Sequence, residues 1–230
     1  MDFEQLLHLS PIMLTGVIGS AIIWERSQSL FFKFKIDSNK FMGQVESLVA
    51  KNDLQGALDL CASNDKALLP SVVKAGLLKA TRDEDEIKTA LEVSIVDAAG
   101  KIHSRIGYLA MIANVATLLG LLGTIAGLIS SFKAVASADA ATKQSLLANG
   151  ISMSMNATAM GLLVAIPVMI AYSVLNGRAS RLTDDLEKGA GRTLALLHGR
   201  SYSDEDDFSK VSFEQVEEGK VTPIKLKGAA

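Results

Sequence analysis

Three long stretches of the chain are apolar on every side and contain no Asp, Glu, Lys or Arg. They comprise residues 5–24, 107–132 and 144–175. Each is longer than the roughly 18 residues at which an uncharged stretch indicates a membrane-spanning helix. A core helix of a soluble protein carries polar residues along one face, and none of these stretches has such a face. The pattern therefore predicts three transmembrane helices.

The chain between the first two stretches is polar, with apolar residues that recur every three or four positions. This spacing is typical of amphipathic helices, and Asp53 is a candidate N-cap for one of them. The last helix of this region, from about Glu84, is predicted to continue into the second span. Beyond residue 200 the sequence becomes acidic, as at residues 204–207, and loses its periodicity, which indicates a tail without regular structure.

These patterns divide the chain into seven segments. We predict a first transmembrane helix with its cytoplasmic exit, a cytoplasmic helical region, a second transmembrane helix, a short periplasmic loop, a third transmembrane helix, a cytoplasmic helix and an acidic tail. Their bounds are, in the same order, 1–34, 35–106, 107–133, 134–145, 146–175, 176–200 and 201–230.

The distribution of basic residues predicts the orientation in the membrane. Lys and Arg cluster after the first stretch, before the second and after the third, whereas the opposite side has an acidic N-terminus and a short loop. Because basic residues favour the cytoplasmic side, the N-terminus is predicted to lie outside and the C-terminus in the cytoplasm. Trp24, Tyr108 and Tyr172 fall at the cytoplasmic end of different spans, where aromatic residues are enriched.

Composition narrows the possible functions. Aromatic residues make up only 5% of the chain and the net charge is −2, which gives no indication of a nucleic-acid partner. Cys61 is the single cysteine, so neither a disulfide framework nor a cysteine metal site is expected. No nucleophile–base pair, histidine-rich metal spacing or phosphate-binding loop is recognisable. We therefore predict a protein that is not an enzyme and binds no cofactor.

Small and hydroxylated residues form stripes along the two inner spans. In the second span they recur at steps of three and four, and the third span has a similar series. Such stripes allow close helix packing, with hydroxyls bonded back to their own helix, or they line a narrow channel; spacing leaves both open. The stripes are Thr117, Gly120, Thr124, Gly127 and Ser131, with Gly123 beside them, and Ser154, Thr158, Gly161 and Ala165.

Neither inner span contains Asp, Glu, His, Lys or Arg. An ion pathway through a membrane ordinarily uses one, although placing it at the bilayer centre costs at least about 2.5 kcal/mol. The chain therefore either conducts nothing or depends on a second protein for the titratable group.

Several motifs resemble the MotA/TolQ/ExbB proton-channel family, and in particular its ExbB/TolQ branch. The resemblance covers roughly residues 5–200 in order and spacing. The matching motifs are Glu25-Arg26, residues 53–61 (DLQGALDLC), residues 75–77 (AGL), residues 113–127 (ANVATLLGLLGTIAG), and Gly150-Ile151 followed by residues 157–162 (ATAMGL) and 165–167 (AIP).

The resemblance implies an all-α membrane protein of three transmembrane helices with a cytoplasmic helical extension, assembled as a homo-oligomeric, pentamer-like ring. The ring is expected to enclose a single-span partner of the ExbD/TolR type, whose membrane Asp carries the proton. A TonB/TolA-like protein is expected to pass the work to the outer membrane, for TonB-dependent import or Tol-type envelope maintenance.

Residue roles follow from the same resemblance. Thr124 and Thr158 are expected to face the partner's Asp, with Thr117 and Ser154 along the same proton pathway. The residues assigned to helix packing are Gly120, Gly123, Gly127, Gly161 and Pro167.

The sequence departs from the family pattern at two positions. Met153 occupies a position where many members have Glu, and Thr117 stands where Pro is common. Asn156 lies one turn beyond Met153 and is a candidate polar substitute or an interhelical contact. The absence of the Glu at position 153 leaves open a gliding or flagellar-type motor subunit that uses H⁺ or Na⁺. A non-conducting membrane scaffold is also open.

Overall fold

The computed structural model describes residues 3–34 and 36–217, with side chains described for residues 10–34 and 36–199. All regular structure in these ranges is helical. The helices are α1 (Phe3–Gln28), α2 (Ser38–Ala50), α3 (Leu54–Ser63), α4 (Leu68–Leu77), α5 (Glu84–His103), α6 (Ile106–Ala136) and α7 (Lys143–Glu217), with a π-helical turn at Ser29–Lys33. The prediction of an all-helical protein is confirmed for this part of the chain.

Two helical stretches are long and apolar enough to cross a membrane. Within the described residues they are Glu84–Ala136 and Lys143–Gly199, and they contain the second and third predicted spans. The first predicted span falls in α1, part of whose side chains lie outside the described ranges. Three spans, their orientation and the pentameric ring remain predictions.

The chain divides into two compact units. The first comprises residues 1–35 and 97–184, and the second comprises residues 36–96 and 185–230.

In the first unit, α1 packs on α6 and α7 through glycines. A Cβ at Gly19 would lie 3.2 Å from Val168 and 3.4 Å from Ile112, and one at Gly16 would lie 3.3 Å from Val164. Glycine lets two helix axes approach closely. Close van der Waals packing of this kind favours helix association in a membrane, where the hydrophobic effect does not drive helices together. The α1 helix therefore lies against both inner helices.

The predicted continuous helix from Glu84 into the second span is interrupted. It ends at His103 as α5 and restarts at Ile106 as α6. Arg105 between them has a φ of 62°, a left-handed conformation that costs a non-glycine residue roughly 1–2 kcal/mol. Nothing in the local sequence requires this break, because no proline or glycine occupies the turn.

The second unit buries the amphipathic faces predicted from sequence. Val45, Val72 and Val73 are fully buried, and Cys61 is 2% exposed. Burial raises the pKa of the Cys61 thiol to about 11. These residues, Cys61 included, are part of the buried core.

Side-chain caps and ion pairs complete the second unit. The Asp53 carboxylate accepts a hydrogen bond of 2.8 Å from the Gly56 amide, which confirms the predicted N-cap. The Arg192 guanidinium lies 3.2 Å from the Glu46 carboxylate. The backbone of α7 is helical through Glu217. Side chains of the predicted acidic tail, and residues 218–230, lie outside the described part of the chain.

Candidate functional site

The two inner helices approach each other most closely where glycine faces glycine. A Cβ at Gly161 would lie 2.8 Å from the Ala116 carbonyl oxygen and 2.9 Å from the Gly120 Cα. A Cβ at Gly120 would lie 3.2 Å from the Gly161 Cα. Both neighbours are backbone atoms, which cannot move aside as a side chain can. The small-residue stripes thus place the two backbones in direct contact.

The same contact brings two threonines together. The Thr124 and Thr158 hydroxyl oxygens are in direct hydrogen-bonding contact. Thr124 Oγ1 also lies 3.1 Å from the Gly120 carbonyl oxygen, and Thr158 Oγ1 lies 3.3 Å from the same oxygen. We call these three groups the hydroxyl triad. Two hydroxyl protons and three oxygens are available, so the triad can accept hydrogen bonds and, after rotation of a hydroxyl, donate one.

The triad lies on one flank of the α6–α7 contact, and α1 lies on the other. Successive residues turn about 100° around a helix. Ile112, which contacts α1, is therefore about 120° from Thr124 around α6, and Val164 is about 120° from Thr158 around α7. Gly120 and Gly161 lie between these directions on their respective helices. The contacts of Gly16 and Gly19 on α1 are therefore on the other side of these glycines from the triad.

The other hydroxyls predicted for the proton pathway do not bond to the triad. Thr117 is exposed and donates a 3.0 Å hydrogen bond to the Ala113 carbonyl. Ser154 is 2% exposed, donates to the Gly150 carbonyl at 2.8 Å, and lies against Gly127 within the α6–α7 contact. Both bond back to their own helix, as the packing interpretation expects.

The remaining residues assigned to packing differ in their surroundings. A Cβ at Gly123 would lie 2.7 Å from the Ala157 Cβ, so this glycine belongs to the α6–α7 contact. Pro167 lies inside α7, and its side chain is exposed. Met153 is 41% exposed, and Asn156 is also exposed. Around α7, Asn156 is about 160° and Met153 about 140° from Thr158, so both point away from the triad.

One close approach between α6 and α7 was not singled out from sequence. A Cβ at Gly150 would overlap the Ser131 side chain. Ser131 is 8% exposed and donates to the Gly127 carbonyl at 2.7 Å. The serine belonged to the predicted stripe, but only the folded chain shows which residue of α7 it meets.

Charged groups gather where α1 ends and α5 gives way to α6. One Arg105 guanidinium nitrogen donates to both Glu25 carboxylate oxygens, at 2.7 and 2.8 Å. Arg26 is 8% exposed and donates from Nη1 to the Lys101 carbonyl at 3.3 Å. The hydrogen bond from Arg105 is the main cause that holds the pKa of the Glu25 carboxyl below its ordinary value, and Arg26 adds to it. Glu25 is therefore a carboxylate at neutral pH.

Comparison with known proteins agrees with this architecture. Residues 64–188, just over half of the chain, match the MotA/TolQ/ExbB proton channel family. The chain belongs to this family. The matched range contains the whole hydroxyl triad and the Gly120–Gly161 contact.

Individual relatives carry TolQ and ExbB names. The Tol-Pal system protein TolQ of Pseudomonas aeruginosa is 31% identical over 120 residues, which cover 52% of each chain. TolQ of Haemophilus influenzae is 34% identical over 101 residues, 44% of each chain. The biopolymer transport protein ExbB of Salmonella typhimurium is 27% identical over 195 residues, 80% of each chain.

The extent of these matches differs. The chain spans about half the length of the two TolQ relatives and four fifths of the Salmonella ExbB. The resemblance to the ExbB/TolQ branch is thereby confirmed, and the relatives are Tol-Pal system and biopolymer transport proteins by name.

Proposed function

We propose that the chain is the channel-forming subunit of an inner-membrane complex that couples the proton motive force to mechanical work. Several copies, in a pentamer-like ring, enclose the transmembrane helix of a single-span partner of the ExbD/TolR type. The partner supplies the membrane Asp that carries the proton. The single observation that supports this role most strongly is the hydroxyl triad.

The chemistry of the triad suits a proton carrier that belongs to another chain. No Asp, Glu, His, Lys or Arg occurs in residues 107–132 or 144–175, so the triad offers only two hydroxyls and a carbonyl. A hydroxyl can accept from a protonated carboxylic acid and donate to its carboxylate. The triad therefore serves both protonation states of a partner acid without holding a charge of its own.

The arrangement of the helices supports a triad that faces the central pore. The flank opposite α1 presents Thr124 and Thr158, and it is the flank that we assign to the central pore. The α1 helix then faces lipid, with the N-terminus periplasmic and the C-terminus cytoplasmic. Thr117 lies on α6 toward the cytoplasmic side of the triad, and Ser154 supports the triad through helix packing.

Energy for the work comes from charge movement. One proton that crosses a potential of 100 mV releases about 2.3 kcal/mol, so a few protons are enough to drive a conformational step of the partner. A TonB/TolA-like protein would carry that step to the outer membrane, for import or for envelope maintenance.

Threonine-to-valine substitutions test the pore assignment. The chain and its single-span partner are co-expressed, purified and reconstituted in liposomes, and proton flux is driven by a potassium diffusion potential. Thr124→Val and Thr158→Val replace a hydroxyl by a methyl of similar size, so the ring should assemble while flux falls at least about tenfold, as expected when a polar group of the pathway is lost.

The matched control is Thr193→Val in the second unit. Thr193 is 1% exposed and its hydroxyl donates to the Gly189 carbonyl at 2.8 Å, which is the same back-bonded geometry away from the triad. Its flux should equal that of the parent. Full flux in both Thr124→Val and Thr158→Val would refute the pore assignment. A parent complex without flux would favour the scaffold.

A further inference from the structure

The Glu25-Arg26 pair at the end of α1 contacts both sides of the break between α5 and α6. Glu25 binds Arg105, the residue that precedes α6, and Arg26 binds the Lys101 carbonyl in the last turn of α5. The last four carbonyls of a helix have no partner further along that helix, so Arg26 satisfies one of these orphan acceptors. We call the four residues Glu25, Arg26, Lys101 and Arg105 the ion-pair clamp.

The break is a conformation that the local sequence does not favour. Arg105 has a φ of 62°, in a region that residues other than Gly, Asn and Asp seldom adopt. Residues 97–110 contain no proline, and their two glycines, Gly100 and Gly107, lie outside the turn. An uninterrupted helix through this segment is therefore the nearest alternative conformation.

We infer that the ion-pair clamp positions the start of α6 by holding Arg105 in its left-handed conformation, and that without it α5 and α6 merge into one helix. The geometry supports this role because Arg26 binds a carbonyl at the end of α5, and Glu25 binds the side chain of the residue that has the left-handed conformation. In a merged helix the Lys101 carbonyl would accept from the Arg105 amide, and Arg26 would lose its acceptor.

The consequence for the proposed pore follows from helix geometry. Residues on α6 turn about 100° per position, so the conformation of Arg105 sets the direction in which every later residue of α6 points relative to the last turns of α5. The clamp residues are thus positioning residues that act through the backbone of Arg105. This inference rests on the proposed function only for its effect on proton flux.

Amide hydrogen exchange tests the clamp on the purified chain, without any partner. The amides of residues 105–108, at the start of α6, have no acceptor in that helix, whereas a merged helix would give each of them one. Glu25→Gln removes the ion pair with Arg105. It should lower the ratio of broken to merged helix about fivefold, the upper end of what an exposed ion pair contributes. Exchange of a peptide that covers residues 104–109 should become slower. General loosening of the fold would make it faster, so the two explanations predict opposite signs.

Substitution of Arg105 separates the backbone effect from the ion pair. Arg105→Gly removes the ion pair but makes the left-handed conformation cheap, so exchange should stay at the parent rate. Adding Glu25→Gln to Arg105→Gly should change nothing further. Arg105→Ala loses the ion pair and keeps the conformational cost, so it should behave like Glu25→Gln.

The matched control is Glu86→Gln, which removes another carboxylate that is half exposed. Its side chain is 46% exposed and pairs with Lys79, compared with 44% for Glu25. Exchange at residues 104–109 should not respond to it. Unchanged or faster exchange in Glu25→Gln, or slower exchange in Arg105→Gly, would overturn the inference.

Flux measured in the reconstituted complex provides the second readout. Glu25→Gln should lower partner-dependent flux, and Arg105→Gly should retain it. If the exchange results hold while the parent shows no flux, the proposed function fails and the clamp stands. If flux responds to Thr124→Val while exchange ignores Glu25→Gln, the clamp fails and the proposed function stands.

Discussion

A methyl group added at Gly161 should destabilise the α6–α7 contact, even though alanine is the better helix former. The added Cβ would lie 2.8 Å from the Ala116 carbonyl oxygen and 2.9 Å from the Gly120 Cα, at least 0.5 Å short of an ordinary contact of 3.4 Å. Because both obstacles are backbone atoms, the helices themselves must separate. A gap of 0.5–1 Å removes about a quarter to a half of the dispersion energy of each affected atom pair.

The net effect is the difference between two terms. Overpacking a tight contact costs typically about 1–3 kcal/mol, and glycine-to-alanine within a helix returns about 0.8–1.0 kcal/mol. We therefore expect Gly161→Ala to be less stable than the parent by up to about 2 kcal/mol. Gly177 on the same helix provides the matched control, because nothing lies within 4 Å of its added Cβ. Gly177→Ala should be more stable than the parent by up to about 1 kcal/mol.

Both variants can be compared by titrating the protein in mild detergent with sodium dodecyl sulfate while helicity is followed by circular dichroism. The midpoint should fall for Gly161→Ala and rise for Gly177→Ala. Equal midpoints, or a higher midpoint for Gly161→Ala, would show that the two backbones are not in contact and would remove the physical basis for the hydroxyl triad.

Two further predictions concern the second unit. Burial raises the pKa of Cys61 to about 11, so its thiolate fraction at pH 7.5 is small. Its alkylation, followed by mass spectrometry, should be on the order of a hundredfold slower than that of free cysteine. Equal alkylation rates would contradict this. Asp53→Ala should lower stability by about 1 kcal/mol through loss of the N-cap, seen as a lower thermal midpoint, whereas the exposed Asp65→Ala should change little.

The helices of the second unit were largely predictable because their signals are local. The Asp53 cap and the periodic apolar residues that include Val45 specify where a helix starts and which face it buries. The hydrogen bond from Gly56 and the buried Val45 agree with both expectations. A cap and its amide are three residues apart, so the sequence displays them together.

The prediction of one continuous helix from Glu84 into the second span was wrong for a physical reason. The residues around Arg105 favour a continuous helix, and the groups that stabilise the break come from α1, 80 positions earlier in the chain. Glu25-Arg26 was noticed as a motif, but its partners could not be inferred from spacing. A tertiary contact overrides local preference here.

The sequence by itself determined which residues are small, hydroxylated or uncharged along the inner helices, because a helix repeats at a fixed angle per residue. It therefore defined the stripes that include Gly120, Thr124 and Thr158. Only the tertiary structure decided which of them meet, since Thr124 and Thr158 are 34 residues apart and their distance depends on how α6 and α7 are aligned along each other. It buried Ser154 in the helix contact, joined two threonines to the Gly120 carbonyl and placed α1 on the opposite flank. Such alignment is set by the closest backbone approach, a property of two helices together that neither sequence stretch contains alone.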